Sequence, residues 1–457
     1  MRLLLLKYWD RIRSGFWFLP TLMAAIASVL SYGTVAVDSM LTARGTHVWS
    51  WIYTGGAEGA SAVLTAISGS MITIAGLVFS MTLVAMSLAA SNFGPRLLQN
   101  FMRDTANQVV LGTFVATFLY CLLVLRTIRR ADEGAFVPHL SVSLGVLFAL
   151  ASIGVLIYFI HHVAVSIQAD EIIARVGDEL IVRVETLFPE RMGKSVPVEP
   201  ALGRTILPAS FDSEARLVLA KDDGYLQLID ADALMALAIK GDAVFRIERQ
   251  PGHYVVAGSP LLGIWPGDRW TEPLAESVAA AFALGNQRTA AQDIEYLVGQ
   301  LVEIAVRALS PGINDPFTAM TCVDRLSSAL SRLARREMPS SLRYDKQSRL
   351  RIVAMTTTFP SVLDTAFDPL RRYGRTSAEV TLRLLDAIAV IANAVHRVED
   401  RASLRRQAVL IARGRTALAE RADRRAVQRR YNSVRRTMRE PFASVARGTG
   451  SCASKAD

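Results

Sequence analysis

Four long apolar runs, parted by short polar or basic stretches, fill the first third of the chain, and short amphipathic segments follow. A run of about 20 apolar residues is long enough for a helix to cross roughly 30 Å of hydrocarbon. The runs predict spans at about 16–37, 57–90, 108–125 and 139–162, a transmembrane domain over 1–165. From Ala164 helical periodicity continues through about Val184, predicting that the fourth span runs on beyond the bilayer. Pro197, Pro200 and Pro208 then mark a linker, so 166–204 reads as a helical extension and linker.

Strand composition appears next, at Ala215 to Ala220, Tyr225 to Ile229, Ala243 to Arg249, His253 to Val256 and Leu261 to Ile264, predicting a small β-domain over 205–266. The segment PGHYVVAGSPLLGI, 251–264, is similar to the second half of a barrel-sandwich module of the lipoyl or biotinyl type. Neither Lys221 nor Lys240 lies in a hairpin-tip motif, so that resemblance implies shape and not carrier chemistry. Helical pattern returns over 267–400, with amphipathic stretches at Gln287 to Leu309, Pro360 to Leu370 and Ser377 to Val398, the last with Thr376 and Glu379 at capping-box spacing. The expected fold class is therefore a membrane protein: a four-helix transmembrane bundle, a small β barrel-sandwich-like module and an α-helical cytoplasmic domain. A basic tail over 401–457 follows, partly helical and disordered beyond Pro441.

Composition supports this division, since 457 residues that are 51% hydrophobic exceed what an ordinary soluble chain carries. The net charge of +10 lies in the tail, where 401–457 hold 15 Lys/Arg against 4 Asp/Glu and the rest of the chain holds 36 against 37. Beside a membrane domain, anionic lipid is preferred over nucleic acid as the partner of such a tail. Arg2, Lys7, Arg11, Arg13, Arg96 and Arg103 oppose Arg44, Arg126, Arg129 and Arg130, six against four, which places both termini in the cytoplasm. The first run lacks a clean small-residue cleavage site and is read as a retained helix rather than a signal peptide.

Three patterns carry candidate chemistry. Gly69, Thr73, Gly76, Ser80 and Ser87 fall at steps of four, three, four and seven, one face of the second span, where small hydroxyl-bearing residues serve either close helix packing or a water-filled path. His161 and His162 close the fourth span, as interface residues or as a titrating sensor. In ALSPGINDPFTA, 308–319, Ser310 stops a helix, and Asn314 or Asp315 can cap the next, with Pro316 in its first turn. With Arg288, Asp293, Glu303 and Arg307 on the preceding helix, this turn is either a ligand or ion site or plain capping chemistry. Cys121, Cys322 and Cys452 have no metal-ligand spacing, and no catalytic grouping or phosphate loop is visible, so neither a cofactor nor an enzymatic activity is expected.

The segments GLVFSMTLVAMSLAASNFGPRLL at 76–98, YFIHHVAVSIQ at 158–168, GYLQLID at 224–230 and RTAAQDIEYLVGQLVEIAVRALSPGINDPFTA at 288–319 together resemble a family of predicted bacterial membrane proteins with four N-terminal spans, a domain of unknown function. The resemblance runs from the first span to about residue 440 and implies architecture and a place in a bacterial inner membrane, but no activity. Two function classes follow from the pattern: a homo-oligomeric ion or small-solute channel gated by its cytoplasmic domain, or a membrane-anchored sensor or scaffold that binds a partner through that domain.

Overall fold

The computed structural model describes residues 17–43, 55–94, 104–129, 136–188, 207 and 210–438. The linker prolines, the basic residues Arg2, Lys7, Arg11, Arg13, Arg44, Arg96, Arg103 and Arg130, Cys452 and the end beyond Met438 lie outside them. The chain divides into two compact units, Met1–Ile172 and Ile173–Asp457.

In the first unit the four apolar runs are helices α1 (Phe18–Ala43), α2 (Ala57–Phe93), α3 (Thr105–Leu125) and α4 (His139–Ser166). All four are long and apolar enough to cross a membrane by length and composition. Helix α3 is central and packs against the other three. Its Gly112 lets α1 approach closely, because a Cβ there would lie 2.5 Å from Met23 Sδ and 3.2 Å from Pro20 Cα. Gly145 of α4 does the same against Leu64, 3.1 Å, and Cys121, 3.4 Å. Lipid tails are as apolar as leucine, so this fit, and not expulsion from water, holds the bundle together. One core cluster gathers Leu64, Tyr120, Val124 and Val142, and another Met71, Val78, Phe114 and Phe159. The fourth span does not continue unbroken: the helix is interrupted at Ile167 and Gln168 before α5 (Ala169–Leu187) begins.

The second unit opens with the remainder of α5, a short α6 (Phe211–Glu214) and then β1 (Arg216–Leu219), β2 (Gly224–Ile229), α7 (Ala231–Lys240), β3 (Val244–Ile247), β4 (Tyr254–Val255) and β5 (Pro260–Trp265). Helix α8 (Glu272–Ala279) and β6 (Phe282–Gly285) follow, then α9 (Ile294–Ala308), α10 (Pro316–Arg335), β7 (Leu342–Tyr344), β8 (Leu350–Val353), α11 (Phe359–Tyr373), α12 (Ala378–Ala392), α13 (Val398–Gly414) and α14 (Arg421–Thr437). All five expected strand segments form strands, but among the described residues they close no barrel. They divide between an open five-stranded sheet, β1-β5-β3-β8-β7, and a three-stranded one, β4-β2-β6. The segment likened to a barrel-sandwich half is itself split, β4 in one sheet and β5 in the other, at a turn through Gly258 with φ +82°. The larger sheet takes its far edge from 342–353, where β8 pairs parallel with β3, a long-range pairing that local strand patterns do not reveal.

Helices α9 to α14 pack around Leu301, Leu326, Leu363, Ile388 and Leu404, all fully buried. Two assigned boundaries move. Helix α9 starts at Ile294 and not near 287, because the Asp293 side chain accepts from Tyr296 N and begins the helix there. Helix α12 is capped by Ser377, which accepts from Val380 N and donates to Glu379, one residue later than Thr376. Helical packing also continues past residue 400 to Thr437, since α13 lays Leu404, Ala408 and Ile411 on the core and α14 adds Val427 and Val434. The high arginine content of α14 masks that apolar stripe in the bare sequence.

Candidate functional sites

The small-residue stripe of α2 faces out of its own bundle. Gly69, Thr73, Gly76, Ser80 and Ser87 are all exposed, and a Cβ on Gly69 or Gly76 would meet nothing within 4 Å. The opposite face carries Ala60, Leu64, Ser68, Met71, Ala75, Val78, Thr82, Ala85 and Ala89, and this face is buried on α3 and α4. Met71 and Val78 are thus bundle-facing, whereas Ile72, Leu77, Met81 and Val84 are exposed like the stripe. Thr73 Oγ1 donates to Gly69 O at 2.8 Å, so its hydroxyl is satisfied within the helix. The close helix packing inside the chain is done by Gly112 and Gly145 instead.

Polar side chains fix both ends of the bundle. Asp38 of α1 is buried and accepts from Leu140 N at 2.9 Å, Ser141 N at 2.9 Å and Ser141 Oγ at 2.6 Å. Pro138 precedes α4 and offers no side-chain cap, so an acid on another helix, about 100 residues earlier, satisfies the free amides of α4. Tyr120 links this end, sharing a hydrogen bond with Thr34 at 3.1 Å and donating to Ser141 O at 3.1 Å. At the other end Asp104 caps α3 through Ala106 N and pairs with His162 Nε2 at 2.9 Å. Tyr158 stacks on the same imidazole, whereas His161 is exposed. Sequence reasoning passed over Asp38 and Asp104; the signal was an acid next to an apolar run, one of them one residue past the expected end of the first span.

In the second unit the candidate turn residues are not brought to one place. Arg288 and Asp293 meet at the start of α9, with Arg288 Nη2 2.7 Å from the carboxylate. Arg307, Ser310, Asn314 and Asp315 sit at its other end, about 22 Å away for 15 residues of helix. Asp315, not Asn314, caps α10, accepting from Phe317 N at 3.0 Å and Thr318 N at 3.1 Å. Burial pushes its carboxyl up, but these bonds and that from the Thr318 hydroxyl outweigh it and hold it below the usual carboxylate range. Asn314 turns the chain with φ +50°, its N donating to Ser310 O at 2.8 Å. Arg307 lies 3.6 Å from Glu303 one turn earlier. At the near end Asp293 is nearly sealed, and Gly252, φ +93°, leaves room for its carboxylate where a Cβ would collide with it. Burial raises the Asp293 carboxyl, with Arg288 opposing, and burial together with Arg249 lowers the nearby His253 imidazole. The SPGINDP segment therefore does capping and turn chemistry. Among the described residues no three His, Cys, Asp or Glu side chains are grouped to hold a metal ion.

With a four-helix apolar bundle and a mixed C-terminal unit established, the family comparison is decisive: a family model described as "Predicted membrane protein (DUF2254)" matches residues 13–390. The chain belongs to this family. Similar relatives are the "Uncharacterized protein Rv1290c" of Mycobacterium tuberculosis and the "Uncharacterized protein Mb1321c" of Mycobacterium bovis, each 35% identical over 424 residues, covering 91% of this chain and 79% of the relative. No solved structure matches. The match to the family spans both units, so bundle and C-terminal unit occur together in the family and not as a chance fusion.

Proposed function

We propose that this family member is a homo-oligomeric integral membrane protein whose α2 stripes meet around a shared axis, a path for ions or small solutes gated by the C-terminal unit. One observation carries the reading: Gly69, Thr73, Gly76, Ser80 and Ser87 face out of the bundle with no neighbour at either glycine. Five small positions on one outward line leave a shallow groove that fits another helix or a narrow water column better than it fits lipid chains. In this reading the protein lies in a bacterial inner membrane, with both termini and the C-terminal unit in the cytoplasm and no enzymatic activity. The exposed arginines of α14, among them Arg425, Arg429 and Arg436, give that unit a surface for anionic lipid.

The alternative, a membrane-anchored sensor or scaffold, has its own support. Ile313 and Phe317, 47% and 73% exposed beside the α9–α10 turn, offer an apolar contact for a partner.

The test uses single cysteines at Thr73, Ser80 and Ser87 in a cysteine-free chain reconstituted in bilayers, with Gly76→Leu beside them. A pore predicts reaction with a charged aqueous thiol reagent at all three positions, and Gly76→Leu that assembles but does not conduct. A tightly packed interface predicts disulfide crosslinks between copies and loss of assembly in Gly76→Leu. Absence of both reaction and crosslinks, with Gly76→Leu indistinguishable from wild type, leaves the stripe facing lipid and refutes the oligomeric reading.

A further inference from the structure

Between α10 and α12 lies an open cleft of about 450 Å³, within the range of small-molecule sites. Helix α10 sets Asp324, Ser327, Ser331 and Arg335 along one wall, at steps of three, four and four. Helix α12 faces it with Arg383, Asp386, Ala387 and Val390.

The hydrogen-bonding capacity of this cleft is unevenly used. Its carboxylates are engaged: Asp324 lies 3.4 Å from Arg383, and Asp386 is gripped by Arg430 of α14. Arg332 is turned to Glu185 of α5 at 2.8 Å. The donors left are different. Ser327 is only 6% exposed and makes no hydrogen bond with any described residue, and Ser331 Oγ is sealed from solvent without a partner. A helical serine ordinarily bonds the carbonyl one turn back, as Thr321 does to Phe317 in the same helix, yet these two do not. Arg335, at the end of the line, makes no ion pair among the described residues.

We infer that this cleft binds an oxyanion group, a phosphate or its equivalent, on a small water-soluble molecule. Ser327, Ser331 and an unpaired guanidinium line the cleft from a single helix face, and the buried Ser331 hydroxyl, costly without an acceptor, gains one from a ligand once its side chain turns to the cleft. The carboxylates do not repel such a group strongly, because each is already matched by a guanidinium. Ala387 and the methyl groups of Val390 give the rest of the ligand an apolar wall. The inference does not rest on the oligomeric reading, and its test reads binding rather than transport.

Full-length protein in detergent is titrated calorimetrically with inorganic phosphate in phosphate- and sulfate-free buffer at constant ionic strength, with chloride as the control anion. One saturable phosphate site per chain is expected, with no comparable chloride binding. Arg335→Gln should weaken it tenfold to a hundredfold, the worth of a charge-assisted hydrogen bond. Ser331→Ala should also weaken it while leaving the unliganded protein no more prone to thermal labelling at Cys322, buried in the same helix. That split separates a ligand contact from a structural one. Lys240→Gln, at the exposed end of α7, should bind as wild type does. Absence of saturable phosphate binding, an equal response to chloride, or unchanged affinity in Arg335→Gln would overturn the inference.

Discussion

Replacing Asp38 by alanine should loosen the bundle more than any other single truncation of a polar side chain in it. The substitution removes the acceptor from three donors at once, Leu140 N, Ser141 N and Ser141 Oγ, all within 2.9 Å. A buried donor left without a partner costs about 1–3 kcal/mol. Three such losses total about 3–9 kcal/mol, and water reaching one end of the bundle brings the sum towards the lower end, about 3 kcal/mol. An ordinary lost cap costs about 1 kcal/mol. The excess is expected because Pro138 supplies no substitute and Asp38 also places its charge at the positive end of α4.

Cys121 reads this locally, since it is fully buried in the core of the same unit. In a Cys322→Ala, Cys452→Ala background, maleimide labelling of Cys121 reports bundle opening without requiring the two units to unfold together. A loss of about 3 kcal/mol raises the labelling rate roughly a hundredfold in Asp38→Ala. Asp38→Asn, which keeps one accepting oxygen, should fall between it and wild type. Ser39→Ala, the exposed neighbour whose hydroxyl bonds only Ala36 O, should change nothing measurable. Wild-type labelling in Asp38→Ala would show that the cross-helix cap does not hold α4 in place.

Gly112→Leu should destabilise the same bundle by about 1–3 kcal/mol or more, because its side chain must enter the contact with Pro20 and Met23, whereas Gly76→Leu should leave monomeric Cys121 labelling unchanged; equal effects would contradict the outward orientation of the stripe. In the second unit, Gly252→Ala meets both a φ of +93° and the Asp293 carboxylate and should lower its thermal stability by about 1–3 kcal/mol, read by labelling of Cys322. Asp345 predicts a pH dependence: burial alone would raise its carboxyl, but bonds from the Arg349 and Gln347 amides and the Arg351 guanidinium hold it down at about 2. Its folded value lies below the unfolded one of about 3.9, so the stability it contributes is complete above pH 4 and is lost as pH falls from 4 towards 2. Asp345→Asn should flatten the stability profile across that window, and an unchanged slope would show that other carboxylates set it.

How much of this was legible in the sequence depended on which physical force wrote each feature. Apolar run length announced the four spans, and Asp315 followed by Pro316 announced the start of α10, because both are local. Features written by distant partners were not legible. Asp38 stands one residue past the expected first span with nothing near it in sequence to give it a role, and only the fold brings it to the amides of α4. The strand at 350–353 pairs locally with β7, but its place in the larger sheet comes only from its parallel pairing with β3, about 100 residues earlier.

The α2 stripe is the instructive intermediate case. Its period was plain in the sequence, but its direction was not, because in a bilayer the surroundings are as apolar as the protein core and hydropathy cannot tell inside from outside. Bulk can. A Cβ on Gly112 of α3 or Gly145 of α4 would have atoms as near as 2.5 and 3.1 Å, whereas one on Gly69 or Gly76 of α2 would meet nothing within 4 Å. The hydroxyl of Thr73 adds no direction of its own, since it is satisfied by its own helix and would be tolerated in lipid. Ser327 and Ser331 of α10 differ on this point, the first buried and the second with its Oγ sealed, and neither makes such a bond. Two lines of small hydroxyl residues that look alike in sequence therefore ask for different things: the one on α2 asks for a surface that fits its shallow groove, and the one on α10 asks for an acceptor.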